Sequence, residues 1–511
     1  MASTTASIEQ APVHQRTIED DRGWGAATWA LLVVVCGALF LDGLDLSMVG
    51  VALPSIGTHL HLQAGALQWV VSGYVLGYGS FLLLGGRASD IFSRRTVFLV
   101  AVGVFGVASV VSALVNTEAA LVALRFIKGA SAGFTVPAGL SIVTTTFAEG
   151  PARNRAMGVY TLCGASGFSL GLVFGGLLTE LGWRATFFVP GPIALVLVAF
   201  GSRVVPRVSR DRVRVADLDL GGAVTATASL FLLVYAVVEA PRRGWVSLPT
   251  LGLLAASAAL AVSFVAIELR HRRPLVRLGI LRSGALVHAD LCAAAMYGSY
   301  AAFQFLVTLY LQDSLRWSPL AMALALLPAG AIVVLSAPRT GSLLRRFPTS
   351  VVVLMGFSAF VAAYALFLRA RPGMPYVEFL LPTMVLLGVG FGLSFAALNV
   401  QATSGVANHE QGLASGLLNT SLQVGGAVVL AVVTAIVSSS SRTVQVHHQL
   451  LPGMTSALWV VVVISAVALV LTGARVAMQR RRFRAPVQTG FAVEAEAAAA
   501  TNDPVPCLTC P

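Results

Sequence analysis

The sequence predicts an all-α polytopic membrane protein with fourteen spans. Three observations carry that reading. Apolar runs of roughly 18 or more residues, the length that crosses a bilayer as a helix, recur along nearly the whole chain. Of the 511 residues, 57% are hydrophobic and 11% are charged, about half the charged share of a soluble protein. The arginines gather in short loops between the apolar runs, so the net charge of +12 is a topology signal and not a nucleic-acid surface.

Taken in order, residues 1–26 are polar and mixed in charge and form a cytoplasmic tail. They are not a signal peptide, because the next apolar run is too long and no small-residue cleavage site ends it. The spans fall at 27–50, 66–86, 96–115, 119–141, 157–178, 185–205, 219–239, 249–268, 285–311, 319–338, 350–369, 376–400, 412–437 and 455–477. Arginine-bearing loops follow every even-numbered span except the twelfth: Arg87, Arg94 and Arg95 after the second, Arg153 and Arg155 after the fourth, Arg480 to Arg482 after the last. The opposite loops are poorer in arginine; the paired exceptions there are Arg242 with Arg243, and Arg369 with Arg371. Cytoplasmic loops collect arginine, so both termini lie inside a multi-pass protein of the plasma membrane. Residues 479–511, Ala/Glu-rich and then Pro/Cys-rich, have no packing pattern and make a disordered cytoplasmic tail. Its Cys507 and Cys510 form a lone C-x-x-C without partners at metal-site spacing, and no disulfide framework is implied.

Two charges per helix stand out. The first span carries Asp42 and Asp45 and the fourth carries Arg125 and Lys128, the chain's single lysine. A charge at the centre of a span costs roughly 2.5–3.5 kcal/mol on insertion scales, so such residues commonly mark pathways and relays. The alternatives are a neutralised pair kept for packing and, for the cations, snorkelling to the outer interface.

Several stretches carry a specific resemblance. Gly86-Arg-Ala-Ser-Asp90-Ile-Phe-Ser-Arg94-Arg95 resembles the loop signature G-x-L-x-D-R-x-G-R-R of the major facilitator superfamily, with Gly86, Asp90, Arg94 and Arg95 matching. By its glycines it reads as a tight turn, either a latch between helix bundles or a basic loop fixing topology. Leu121-x-x-x-Arg125-x-x-Lys128-Gly129 resembles the fourth-helix pattern l-x-x-x-R-x-x-Q-G, with Lys128 in place of glutamine. Gly167, Gly171, Gly175 and Gly176 give the fifth span a smooth packing face. That stretch is similar to the antiporter motif ending G-P-x-x-G-G, with Leu172 at the proline position. Leu44 to Pro54 resembles the first-helix signature L-D-x-T-x-V-N-V-A-L-P, with Ser47 for threonine and Gly50 for asparagine, and Asp42 is an addition. The resemblance runs over about 27–478 and is to the fourteen-span drug:proton antiporters.

That resemblance implies the major facilitator fold: six-helix bundles at 27–205 and 269–478, and an extra central helix pair within 206–268. It implies export of small amphipathic drugs in exchange for protons by alternating access, by a monomer with no cofactor or metal. A dedicated exporter or importer of one metabolite is the alternative. A receptor or enzyme is disfavoured, since His288, His409, His447 and His448 sit in no catalytic setting, and an ATP-driven pump is disfavoured because no P-loop exists. At 1.5 Å per residue, Asp45 and Arg125 both lie roughly 9 Å deep, and Asp42 and Lys128 roughly 14 Å. Asp45–Arg125 and Asp42–Lys128 are the expected proton-coupling pairs. Gln68, Tyr74, Tyr78, Gln304, Asn399, Asn419 and Gln423 are candidates for the substrate cavity at the midplane. Interhelical hydrogen bonding is the equal alternative for each of them.

Overall fold

A hydrophobic span must satisfy its own backbone, and the chain does so with helices throughout. The structure is a computed structural model that describes residues 24–62, 64–148, 151–207, 219–271, 278–369, 374–404, 406, 411–440 and 453–484. Both tails lie largely outside the described residues, as do the Cys507–Cys510 pair, His409, His447 and His448. Among the described residues, 14 helices are long and apolar enough to cross a membrane.

In chain order the helices are α1 (Ala26–Leu60), α2 (Ala64–Ile91), α3 (Arg94–Leu114), α4 (Glu118–Thr146), α5 (Pro151–Leu181), α6 (Trp183–Phe188), α7 (Pro190–Val204), α8 (Leu220–Arg243), α9 (Leu248–Arg270), α10 (Gly284–Leu309), α11 (Pro319–Arg346), α12 (Thr349–Phe367), α13 (Tyr376–Thr403), α14 (Gln411–Ser440) and α15 (Met454–Arg484). Helices α6 and α7 together make the sixth span, interrupted where Pro190 removes a backbone donor. Starts are capped where the sequence offers a short polar side chain. Asp219 accepts from the Gly222 amide at 2.6 Å, and Ser318 from the Ala321 amide at 3.1 Å. Helix α10 ends in a wider turn over Tyr310–Ser314, closed by the Leu315 amide on the Tyr310 carbonyl.

Two helix ends differ from expectation. The first span does not stop near residue 50 but runs across Pro54 to Leu60. Val51, Ala52, Leu53 and Ile56 are fully buried, so packing holds the helix where proline leaves one bond unmade. The Gly85–Gly86 stretch is not a turn. Helix α2 continues through it to Ile91, and only Phe92 and Ser93 separate it from α3. A side chain at Gly85 would collide with the backbone of Gly133 on α4, so this glycine permits helix contact, not chain reversal.

The same wiring occurs twice. In the first half α1 packs on α5, α2 on α4, and α3 on α7 and α4. In the second half α10 packs on α14, α11 on α13, and α12 on α15 and α13. The halves meet chiefly through α2 with α14 and α5 with α11. The extra pair is not remote from them. Helix α8 touches both α2 and α14, with Tyr235 against Trp69 on α2, and its Phe231 also meets Phe126 on α4. Its partner α9 turns Leu251, Val262, Val265 and Leu269 outward, as a lipid-facing helix would.

Candidate functional site

Asp45 lies on α1 with no solvent exposure and uses both carboxylate oxygens. Its Oδ2 is 2.5 Å from Arg125 Nη1, and its Oδ1 accepts from Lys128 Nζ. Arg125 and Lys128, three residues apart on α4, share one helix face and so converge on one carboxylate. Both are completely buried. Arg125 Nε also donates to the Val70 carbonyl at 2.9 Å, and its guanidinium lies 4.5 Å above the Tyr74 ring. The Lys128 ammonium sits 4.8 Å from the centre of Phe105 and 5.3 Å from that of Phe187. Aromatic faces thus replace part of the water these cations would otherwise hold.

The expected Asp42–Lys128 pair does not form. A lysine stem is long enough to span the three-residue offset, and Lys128 takes the carboxylate that Arg125 also binds. Asp42 is buried and makes no hydrogen bond or ion pair among the described residues, and its Oδ2 is enclosed without a partner. Its electrostatic neighbours are Asp45, Lys128 and the hydroxyls of Tyr74, Tyr78 and Tyr160. With Asp42 ionised the four groups sum to zero, and with Asp42 protonated they sum to one positive charge.

The other predicted residues divide by place. Gly86 is inside α2, and Arg94 and Arg95 open α3. The side chain of Asp90 lies outside what the structure describes. Arg95 Nη2 donates to the Ser202 carbonyl on α7, a bond within the first half and not between halves. On α5, Gly167 meets the backbone of Phe40, Gly171 meets Leu44 and Ser47, and Gly175 meets Met48, all on α1. Gly176 instead meets Leu320 and Ala323 on α11, in the second half.

A central cavity of about 50 Å³ lies between the halves, lined from α1, α2, α5, α10 and α14. Of the seven expected cavity residues only Gln304 lines it. Gln68 and Tyr74 are buried in the first half. Tyr78 lies beside Asp42, and Gln423 against Gly79. Asn399 and Asn419 donate to carbonyls one turn back on their own helices, at 2.8 and 2.9 Å. Asn399→Ala and Asn419→Ala are therefore expected to leave the transport rate within about twofold of the parent, as surface-like substitutions do. The residues that sequence reasoning missed are Phe168, Tyr297, Tyr300, Phe305 and Thr308. A signal existed: 297, 300, 304 and 308 recur at three and four residues, a polar stripe along one face of an apolar span. At the arginine-poor end, Gln312 Nε2 donates to the Val51 carbonyl at 2.9 Å, joining the halves over the cavity. The cavity is far below the ~300–1,000 Å³ of drug-sized pockets.

Comparison with known proteins agrees with this architecture. The family model described as Major Facilitator Superfamily matches residues 35–430. The chain is 34% identical over 458 residues to the puromycin resistance protein pur8 of Streptomyces alboniger, covering 88% of this chain and 89% of that protein. It is 33% identical to the cephamycin export protein CmcT of Amycolatopsis lactamdurans, over 80% of this chain and 85% of that one. Among solved structures, the POT family transporter PepTSo superposes with a TM-score of 0.64 at 15% identity, covering 88% of this chain and 98% of that one. Relatives of this identity and coverage, together with the family match over most of the chain, mean that the protein belongs to the major facilitator superfamily.

Proposed function

We propose that the protein exports small amphipathic drugs or antibiotics across the cell membrane in exchange for protons, as a monomer with both termini in the cytoplasm. The observation that carries the proton-coupled part is the buried cluster. Asp45 is doubly paired by Arg125 and Lys128, while Asp42 stands one turn away without a partner. An isolated buried carboxylate is costly as an anion, so a proton on Asp42 removes that cost. When Asp42 releases its proton, the new carboxylate draws Lys128 across from Asp45. The shift loosens α4 against α1 and biases the packing of the first half. The two bundles, 27–205 and 269–478, then rock about the α2–α14 and α5–α11 contacts. The basic stretch at Gly86, Asp90, Arg94 and Arg95 lies at the cytoplasmic end of this movement.

The drug-export part is supported by relatives at this identity that are named as resistance and export proteins for puromycin and cephamycin. Each of those names concerns one compound, which also favours a second reading, a dedicated exporter of one product. Both are tested by expressing the chain in a drug-sensitive strain across a panel of toxic compounds, with and without a protonophore. Protection against several unrelated compounds, abolished by the protonophore, is the expected result. Protection against a single compound would favour the second reading. Protection against none, with no protonophore-sensitive efflux, would sink both.

A further inference from the structure

The central cavity has a chemistry that narrows what it can hold. Its lining contains no acidic or basic side chain. Hydrogen-bonding capacity comes from neutral groups alone: the hydroxyls of Tyr297, Tyr300 and Thr308 and the amide of Gln304. Of the two carboxylates on α1, Asp45 has both oxygens committed to cations, and Asp42 lies one turn beyond Leu46; neither is part of the lining. A permanent cation entering here would shed its water and find no counter-ion in the lining. Aromatic faces would give back only part of that loss.

What the cavity does offer is flat aromatic surface. Phe168 on α5 and Tyr300 on α10 lie with ring centres 6.0 Å apart and planes tilted by 55°. Tyr300 lies 5.1 Å from Phe391 on α13, and Phe391 stacks on Phe395 at 5.6 Å. These rings form a ladder from the cavity along α13, crossing from one half to the other. Planar rings stack on such surfaces in offset or edge geometry.

Gly50 supplies the room. It lines the cavity on α1 between Val49 and Val51, which are fully buried. A Cβ built there would meet only the Gln304 amide, at an ordinary 3.7 Å. The first-helix signature that this stretch resembles has asparagine at that position, so here a side chain is missing at the cavity wall.

From these observations we infer that the cavity takes uncharged, planar aromatic compounds with polar edges and discriminates against permanent cations, and that Gly50 sets the space available to them. The inference rests on the export reading above and specifies its substrate class.

The test uses de-energised cells expressing the full chain, loaded with a probe and then re-energised. N-phenyl-1-naphthylamine is the neutral aromatic probe, and ethidium and tetraphenylphosphonium are the permanent cations. The parent is expected to expel the neutral dye in a protonophore-sensitive manner and both cations no faster than vector cells. Gly50→Asn, which the backbone accommodates, is expected to slow expulsion of the neutral dye about tenfold, the scale on which apolar pockets discriminate small volume changes. Its size-exclusion profile is expected to match the parent. Gln304→Glu, which adds the missing countercharge, is expected to raise ethidium efflux above vector. Equal efflux of dye and cations, or full dye efflux by Gly50→Asn, would overturn the inference while leaving export standing. So would retention of the neutral dye by a chain that protects against drugs in the panel. Retention of all three probes alongside a flat panel would overturn the export reading and this inference with it.

Discussion

Lys128→Met is expected to give folded protein in the parental amount that no longer expels any compound against a proton gradient. Folding survives because the buried charges still balance. Without the lysine, Asp45 still pairs with Arg125 at 2.5 Å, and the methionine chain enters a pocket already walled by Phe105 and Phe187. Replacing buried ionic groups with apolar ones of similar volume is often neutral or stabilising by about 1–4 kcal/mol. Transport does not survive. The proposed exchange needs one cation able to serve either carboxylate, and methionine serves neither. Asp45→Asn should behave differently. It removes the carboxylate that holds two completely buried cations and leaves Asp42 to serve only one of them, and breaking a buried pair costs about 3–5 kcal/mol. A large drop in folded yield is expected, partly restored by Asp45→Asn with Lys128→Met, which removes one of the two cations. Size-exclusion amounts and protonophore-sensitive efflux separate the two effects. Undiminished efflux by Lys128→Met would reduce the lysine to a packing element.

The features that could be read from the residues alone are those a bilayer enforces. Fourteen apolar runs had to be helices, and four charges inside spans had to be neutralised, so both were visible in composition and spacing. Helix ends were less visible, because packing decided them: the first apolar run reads as ending near residue 50 and the glycines before Arg87 as a turn, yet both places lie within helices held by neighbours. The depth argument brought Asp45 level with Arg125 but misassigned Lys128, since depth along the axis says nothing of helix rotation or of how far a lysine reaches. The cavity was harder still. Asn399 and Asn419 looked free to bind a ligand because their amides are polar, but each is satisfied one turn back on its own helix. Tyr297 and Tyr300 were passed over because an aromatic in an apolar span is ordinary until its face is known.

A pair of valines on α5 is expected to distinguish what holds a half together from what lets the halves close. At Gly171 a new Cβ would lie 2.8 Å from the Leu44 Cα and upon the Ser47 hydroxyl, both on α1. Neither backbone can yield without parting α1 from α5, and Asp45 sits on α1 between those two contacts. Overpacking a tight contact costs typically about 1–3 kcal/mol, and more where backbone must move. Gly171→Val should therefore lower the amount of folded protein. At Gly176 the new Cβ would meet the Leu320 Cα at 2.8 Å and Ala323 at 2.9 Å, both on α11 of the other half. Each half retains its own contacts, so Gly176→Val should fold but be unable to close at the arginine-poor end. Efflux should fall to background in this variant. There the Gln312–Val51 hydrogen bond spans the same interface, so a cysteine introduced as Gln312→Cys reports on closure. Its reaction with a bulky hydrophilic maleimide should be about tenfold faster with Gly176→Val than without it, a modest shift between closed and open populations. Equal losses of folded protein in both valine variants, with no change in labelling, would make the α5–α11 contact part of the folding core and not a closing surface.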